Sequence, residues 1–550
     1  MKKPVLLILL LFCAQLYPGL SGTAAGADQT LYESIQVLSS FDSRTTGSVG
    51  YEKAADYVAE RFEDLGLEPQ TFLYELPVRR FHHAELTING EKHPLTPFVT
   101  NAVTPESTDG VIYAPLYYVG KGNLSDLDGN AIKDSIVLID FDSARNWQLL
   151  PALGAKAAIF LQDEDSRGRI FFTEKEELTP LQFPCFWMKR AKAEQIFGAL
   201  ASTNSPIVPE VLIQARTVWE NYQAKNIYAV IEGTDPELKN ELLIVEAFFD
   251  NQEFVVGNSP GADSATSIAT LLDTAASLVN QPQKRTIMLL ATSGQAQNLA
   301  GMRDMLWSLN SRSKDLRDQS RRLRKEIKNS RKNLQLLKDI TFPLSVDSER
   351  DALITKAVKH SIDQAVDQVS RHLMQLRLGR QDAETKKRIQ EAAAERLLYR
   401  RLGWAESLHN LPGEEAALLQ QIVPQAVKRY ERILADVKQQ QSGLKSATAF
   451  RTLVREYEVA AIVSLHLSSH GNGVGAFHRG WLSNLKPTIN RTSIYSPLAE
   501  LLEKIAGRSI GRASYQDTLR PSHVRTWDSW FLDRPSLGGE VSNVAGFLGF

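Results

Sequence analysis

The sequence predicts a mixed α/β core that is interrupted by a β-rich segment and by an all-helical segment. Two short, continuous apolar runs at residues 242–245 and 286–290 flank an apolar-striped helix over residues 264–279. Such runs are typical of strands that are buried on both faces of a parallel or mixed sheet. The pattern is β-rich between about 71 and 215, and it is charged, glycine-poor and helix-favouring between 311 and about 441.

The composition limits the class of protein. The chain has 550 residues, of which 43% are hydrophobic and 23% charged, and its formal net charge is −1. These values exclude wholesale disorder, a fibrous repeat and a polytopic membrane protein. They give no reason to expect a nucleic-acid partner. The two cysteines, Cys13 and Cys185, exclude a disulfide framework, and we expect Cys185 to be a buried apolar residue rather than a nucleophile.

Residues 1–27 have the pattern of a secretory signal peptide. Lys2 and Lys3 precede an apolar run over residues 4–16, and small residues at 25–27 precede Asp28. The run is shorter than the roughly 20 residues that a spanning helix needs. We therefore expect an exported protein, periplasmic or extracellular, that starts near Asp28 and has no transmembrane span.

The first elements of the mature chain are predicted to be two helices with a loop between them. Apolar residues recur at helical spacing over 31–38 and 54–65, and the sequence R-T-T-G-S occupies residues 44–48. The β-rich segment follows, with strand patterns at residues 111–119, 135–141 and 157–161 and a short helix at 152–156.

The helical segment carries a heptad-like stripe and a dense run of basic residues. The stripe is interrupted by Ser320 and Ser330, which favours packing within the segment or self-association over a long free coiled coil. The basic run has two interpretations: an anionic surface such as phospholipid headgroups or cell-wall polymer, or the commoner solvated helix face paired with nearby acids. Its members are Arg321, Arg322, Arg324, Lys325, Lys328, Arg331 and Lys332.

The α/β pattern resumes after Tyr457. A strand is predicted at 459–467, a polar loop that contains histidines at 468–480, and a helix at 498–505. Residues 544–550 have the pattern of a strand that is cut short, which leaves a continuation of the natural chain past Phe550 open.

The order of these segments resembles the co-catalytic zinc aminopeptidase family, which includes leucyl aminopeptidases, aminopeptidase Y, glutamate carboxypeptidase and the inactive transferrin receptor. The resemblance is carried by R-T-T-G-S at 44–48, L-I-V-E-A-F-F-D at 243–250, S-P-G-A-D at 259–263 and R-T-I at 285–287. It implies a three-layer α/β/α core formed by residues 28–94, 216–310 and 446–550. It also implies a protease-associated domain over 95–215. The helical segment over 311–445, predicted above from its own sequence, is then an insertion into the core.

The same resemblance implies two zinc ions and a glutamate base. Phe248 stands where the family has a zinc-binding histidine, whereas Asp250, which orients that histidine, and the bridging Asp263 are retained. Gln295 and Ala296 replace the paired glutamates, which are the general base and a ligand.

Two further family positions concern histidines. His466 replaces a ligand aspartate, and the last histidine ligand has no clear counterpart, although His523 is nearby. Without a cation, Asp250 and Asp263 are expected either to accept hydrogen bonds at helix N-termini or to repel each other and rise in pKa.

Two functions follow. The first is a non-catalytic binding or scaffold protein that takes a peptide or protein ligand and needs no cofactor. The second is a zinc metallo-aminopeptidase with rearranged ligands. In it, His466 and Asp263 or Asp250 are joined by His470, His478 or His523. Against the second, these loop histidines have a simpler role as hydrogen-bonding groups.

Overall fold

The computed structural model describes residue 542 and residues 24–467, with gaps at 102, 104–105, 109, 167–170, 173, 178–179, 202–204, 343–347, 379–381, 406 and 410. The chain divides into two compact units, Ser311–Lys445 and the remainder, Met1–Asn310 with Ser446–Phe550. The predicted loop, helix and strand after residue 467 lie outside the described residues, as do the residues of the signal peptide before Ala24.

Two helices open the larger unit at the predicted positions. They are α1 (Ala24–Ser39), which begins ahead of the predicted cleavage at Asp28, and α2 (Val49–Asp64). Ser48 caps α2, because its side chain accepts a hydrogen bond from the backbone N–H of Tyr51 at 3.0 Å. The buried face of α2 includes Val58 and Phe62, which join the main hydrophobic core.

Eleven strands of the described residues form one mixed sheet, which confirms the predicted mixed α/β fold. Its order is β11-β9-β10-β8-β4-β5-β6-β7-β3, with β1 paired to β8 and β2 to β1. The strands are β1 (Gln70–Ile88), β2 (Glu91–Pro94), β3 (Thr96–Pro97), β4 (Ile112–Tyr118), β5 (Ile136–Asp140), β6 (Ala157–Gln162), β7 (Cys185–Lys189), β8 (Val208–Ile231), β9 (Glu241–Phe248), β10 (Thr286–Thr292) and β11 (Glu458–Ser464).

The long strands β1 and β8 connect the two halves of this sheet. They pair antiparallel from Gln70 opposite Tyr228 to Thr87 opposite Leu212. The first half of β8 also pairs with β4, and its second half pairs with β10. Strand β8 continues through residue 215, so its pairing with β1 crosses the predicted end of the inserted segment, with a register shift between Phe81 and His83.

Strands β4 to β7 are parallel and carry the second half of the sheet. Alternate residues of β5 enter two different hydrophobic clusters, Ile136 and Leu138 on one face, Val137 and Ile139 on the other. This burial on both faces explains the continuous apolar run in the sequence. Short helices α3 (Leu124–Leu127), α4 (Leu149–Ala152) and α5 (Arg190–Phe197) connect the strands.

One local prediction was wrong. The short helix expected at 152–156 lies earlier, at Leu149–Ala152. Leu150 is the residue that packs in the core, and the chain just after the helix adopts a positive φ of +87° at Gly154. A positive φ of this size suits glycine and ends a helix.

Strands β11, β9 and β10 are parallel neighbours at the other end of the sheet. Between β9 and β10 the chain forms α6 (Ala262–Val279), and after β10 it forms α7 (Ala300–Asn310). Both helices contribute to the main core, through residues such as Ile268, Leu271, Met302 and Met305.

The smaller unit is helical in its described residues. Its helices are α8 (Ser313–Lys338), α9 (Ser348–Leu378), α10 (Ala383–Trp404) and α11 (Gly413–Val454), the last of which ends in the larger unit. Leu323 and Ile327 of the predicted stripe pack with Val437 and Leu444 of α11. None of the helices in the described part of the chain is long and apolar enough to cross a membrane.

Candidate functional site

The positions that the family resemblance singled out lie together at one edge of the sheet. Phe248 is the last residue of β9 and is paired with Thr292 at the end of the parallel strand β10. Ser464 ends β11 on the other side of β9, two residues before His466, and Gln295 follows β10 by three residues. The carboxyl ends of adjacent parallel strands are where α/β proteins commonly bind ligands.

Asp250 accepts hydrogen bonds from a side chain and from the backbone of the turn after β10. Its carboxylate is fully buried and accepts hydrogen bonds from Thr46 Oγ1 at 2.7 Å, Gly294 N at 2.8 Å and Gln295 N at 3.2 Å. Burial raises the pKa of Asp250 to about 6, and these donors partly oppose the rise. Asp250 is thus a hydrogen-bond acceptor at the start of a short helical turn, which is the first of the two expected outcomes. Its pKa is also raised, but the main cause is burial and not repulsion from Asp263.

The turn that presents these two N–H groups requires glycine. Gly294 has φ +77°, and a Cβ there would lie 2.8 Å from Tyr74 Oη and 2.9 Å from Ala300 Cβ. The hydroxyl groups of Tyr74 and Ser293 are hydrogen-bonded to each other at 2.8 Å, which fixes the end of β10. Neither Tyr74 nor Ser293 belongs to a recognisable motif, so their part in this site was not predictable from sequence.

Arg44 donates hydrogen bonds to three segments, namely the end of α1, the end of β9 and the start of α6. Its side chain is completely buried, and burial lowers its pKa to about 10, while the nearby Asp250 opposes that change. The sequence singled out Arg44 only as part of a motif and assigned it no role. At 2.5–3.1 Å, its guanidinium donates to the backbone oxygens of Leu38, Phe249, Pro260 and Gly261 and to Ser264 Oγ.

Phe248 fills the space beside β11 with an apolar ring. Its side chain is 5% exposed, and its ring centroid lies 5.3 Å from that of His466 in an edge-to-face arrangement. The adjoining cavity, bordered also by Glu246 and Met302, measures about 10 Å³, close to the least that a single water molecule needs. Glu246 is a buried carboxylate that no sequence motif marks. It accepts a hydrogen bond from Thr292, and burial raises its pKa.

The retained candidate ligands are placed as follows. Asp263 lies in the first turn of α6 and is half-buried, and His466 is exposed. His470, His478 and His523 lie outside the described residues. Among the residues that the structure describes, no group of three or more His, Cys, Asp or Glu side chains is arranged to hold a metal ion.

The described residues do not fit the two zinc ions that the family resemblance implies. Phe248 and Ala296 carry no donor atom, and the amide of Gln295 cannot accept a proton as a general base must. The carboxylate of Asp250, which the resemblance implies as the group that orients a histidine, here accepts hydrogen bonds from backbone N–H groups and a hydroxyl.

A larger polar cavity of about 70 Å³ lies next to the substituted positions. The guanidinium of Arg79 stacks over the ring of Trp219, 5.1 Å from its centroid, and Gln252 donates to Glu176 at 2.8 Å. The cavity therefore combines both signs of charge with amides, hydroxyls and an aromatic ring. Its lining includes Thr45, Thr46, Arg79, Asn101, Glu176, Trp219, Gln252, Glu253, Ala296 and Gln297.

Cys185 is no nucleophile in this structure. It is a free, fully buried thiol within a hydrophobic cluster, and burial raises its pKa far above the usual value. Since the thiolate is the reactive form, the prediction of a buried apolar role is confirmed.

Residues 226–324 match the family model described as Peptidase family M28. That part of the chain is similar to peptidase family M28. The segment runs from the second half of β8 through β9, α6, β10 and α7 into α8, and it therefore contains Phe248, Asp250, Asp263, Gln295 and Ala296.

Three solved peptidase structures are similar to part of the chain. The zinc aminopeptidase BSAP from Bacillus subtilis is 22% identical over 52% of this chain and 66% of its own, with a TM-score of 0.36. The aminopeptidase from Aneurinibacillus sp. strain AM-1 is 18% identical over 52% and 67%, with a TM-score of 0.30. The peptidase M28 precursor from Shewanella amazonensis SB2B is 18% identical over 50% and 69%, with a TM-score of 0.33.

The chain spans about two thirds of the length of these enzymes. At these identities and scores the similarity transfers neither a ligand nor a reaction to this chain. None of the curated proteins matches the sequence.

Proposed function

We propose that this chain is an exported, non-catalytic relative of the M28 aminopeptidases that binds a peptide or protein ligand. One observation supports the proposal above all. Three neighbouring parallel strands bring the family's site positions to one sheet edge, and Phe248, Gln295 and Ala296 stand there without the donors that zinc and its bound water require.

The substitutions at these three positions remove both the general base and two metal ligands. A general base typically contributes about 10²–10⁴-fold to a rate, and Gln295 cannot supply one. Glu246 is the nearest unassigned carboxylate along β9, but it is buried and accepts a hydrogen bond from Thr292, which leaves it unsuited to receive a proton from solvent.

The cavity beside Ala296 and Gln297 is the place where we expect the ligand to bind. A peptide offers carbonyl acceptors, N–H donors and charged termini, and the lining supplies a partner for each through Arg79, Glu253 and the amide of Gln252. Trp219 adds a flat apolar surface beside them.

Three finer assignments belong to the same proposal. We infer that residues 95–215 are a protease-associated domain, on the order of β4, β5 and β6, and that the core is a three-layer α/β/α sandwich. We also infer export to the periplasm or the outside of the cell, with a mature chain that starts near Asp28. N-terminal sequencing of protein from the source cell envelope tests this last point, and an intact Met1 contradicts it.

The competing function is an aminopeptidase whose zinc is held by Asp263 and His466 with residues of the following segment. His466 favours it because this exposed imidazole lies at the same sheet edge. The purified full chain, assayed with a panel of aminoacyl-anilides in the presence of zinc, separates the two functions.

In this assay we expect no turnover above that of the His466→Ala variant. In a separate fluorescence experiment, we expect short peptides to protect Trp219 from a soluble quencher, and the Trp219→Phe variant is the control. Turnover that a chelator and His466→Ala both abolish contradicts the proposal.

A further inference from the structure

The two units carry opposite formal charges. Residues 311–445 contain 28 Lys and Arg against 18 Asp and Glu, a formal charge of +10. The rest of the chain contains 35 Lys and Arg against 46 Asp and Glu, a formal charge of −11. The net charge of −1 therefore conceals a strongly basic helical unit, and helix α8 alone holds ten basic and three acidic residues.

Eight of the ten basic residues of α8 share one face of the helix. They follow one another at intervals of one, three or four residues, which confines them to an arc of about 120° at 100° per residue. The arc extends about 27 Å along the helix at 1.5 Å per residue. These basic-arc residues are Lys314, Arg317, Arg321, Arg324, Lys325, Lys328, Arg331 and Lys332, and all are exposed.

Acidic residues do not neutralise this arc. Asp315, Asp318 and Glu326 project from a flank of the helix outside the arc. The arc makes one ion pair within the described part of the chain, between Arg321 and Asp318 at 3.4 Å, where the arginine side chain is 78% exposed. An exposed pair of this kind contributes little to stability, so the arc is not explained as part of an ion-pair network.

The opposite face of α8 is already used for packing. Leu316, Leu323 and Ile327 are buried against Val437 and Leu444 within the helical unit. The helix therefore has no free apolar face to insert into a lipid core, and only its charged face is available to a partner.

We propose that the basic arc of α8 docks the protein on an anionic phospholipid surface. Charge complementarity favours this partner, since clusters of four to eight Lys and Arg on one helix face are what anionic headgroups attract. The extended, solvent-facing row suits a flat surface, and adsorption without insertion agrees with the buried apolar side. This docking is independent of whether the sheet edge binds a peptide.

The test is vesicle co-sedimentation of the full chain with phosphatidylglycerol/phosphatidylcholine vesicles and with phosphatidylcholine vesicles alone. We expect binding only to the anionic vesicles, weakened at least about tenfold when the salt is raised enough to shorten the Debye length from about 10 Å to about 3 Å. The arc variant combines Arg321→Gln, Lys325→Gln, Lys328→Gln and Lys332→Gln, and we expect it to lose at least about tenfold in vesicle affinity.

The matched control removes the same four charges from exposed positions of the same unit outside α8, through Arg371→Gln, Lys386→Gln, Arg388→Gln and Arg400→Gln. We expect this variant to bind the anionic vesicles within about threefold of the unmodified chain, because the arc remains intact. Circular dichroism of both variants verifies that the helices persist.

Three outcomes overturn the proposal. Equal losses in the two variants would make net charge, not the arc, the cause. Binding to a soluble polyanion such as heparin without binding to vesicles would assign the arc to an anionic polymer. Self-association at low salt that the arc variant abolishes, again without vesicle binding, would assign it to a second copy of this chain.

Discussion

The ring of Phe248 lies edge-on against the imidazole of His466, with the two centroids 5.3 Å apart. The resemblance implies a zinc-binding histidine at the first of these positions and a ligand aspartate at the second. Phe248 ends β9, and His466 follows the end of the neighbouring parallel strand β11 by two residues. An apolar ring that packs on the remaining imidazole favours a role in packing for both residues.

We predict that Arg44→Lys destabilises the larger unit strongly. An ammonium group cannot reach the four carbonyl oxygens and the hydroxyl that the buried guanidinium binds, so several acceptors lose their donor. The expected loss is about 3 kcal/mol or more in the free energy of unfolding, measured by urea denaturation. The exposed Arg145→Lys is the control; equal effects of the two substitutions would contradict the role assigned to Arg44.

A second prediction concerns the buried carboxyl group of Glu106. Burial raises its pKa to about 7, and Oε2 has no hydrogen-bond partner. Because the pKa of Glu106 is higher in the folded chain than in the unfolded chain, its protonated carboxyl group contributes to the free energy of unfolding. That contribution is complete below the unfolded pKa of about 4.5 and is lost as the pH rises through 7.

Glu106→Gln keeps the side chain neutral, so the variant should gain stability relative to the unmodified chain between pH 5 and pH 8. The gain is at most about 3 kcal/mol. Thermal unfolding at the two pH values measures it, and a pH-independent difference between the two proteins would refute the assignment.

The third prediction is that the larger unit folds without residues 311–445. The C-terminal boundary of the deletion matters, because the residues just after 445 belong to the larger unit. Ser446 Oγ accepts a hydrogen bond from Leu73 N at 2.8 Å, and Phe450 packs edge-to-face on Phe72 and Tyr228. Replacement of 311–445 by a short Gly/Ser linker should leave a cooperative thermal transition. Replacement of 311–454, which also removes Phe450, should cost about 3–5 kcal/mol. If both shortened chains fail to fold, the helical unit is needed by the core.

The fourth prediction concerns restoration of the metal site. Phe248→His, Gln295→Glu and Ala296→Glu combined should recover measurable zinc affinity by calorimetry, whereas each single substitution should recover little, since ligands and base act as a unit. The control triple variant Phe248→Asn, Gln295→Asn and Ala296→Gln introduces polar groups of similar size without strong zinc donors. Equal zinc binding by the two triple variants would show that the substituted positions do not form the site.

Part of this molecule could be predicted from sequence, for identifiable reasons. Strands such as β5 and β10 are short apolar runs buried on both faces, so hydrophobicity alone locates them. The contacts of Arg44, Tyr74 and Glu246 could not be predicted, because each depends on segments that are distant in sequence and meet only in the fold. The orientation of the basic arc of α8 follows from helical periodicity, but its exposure depended on which side packs on α11.

The zinc content of the purified full chain tests the central claim most directly. The chain should be dialysed against buffer with and without zinc and then analysed by inductively coupled plasma mass spectrometry, with the His466→Ala variant treated identically. Because Phe248 and Ala296 offer no donor and Asp250 is engaged by Thr46 and Gly294, we predict substoichiometric zinc that His466→Ala does not change. Stoichiometric zinc that survives dialysis and is lost in His466→Ala would contradict the account and establish a rearranged metal site.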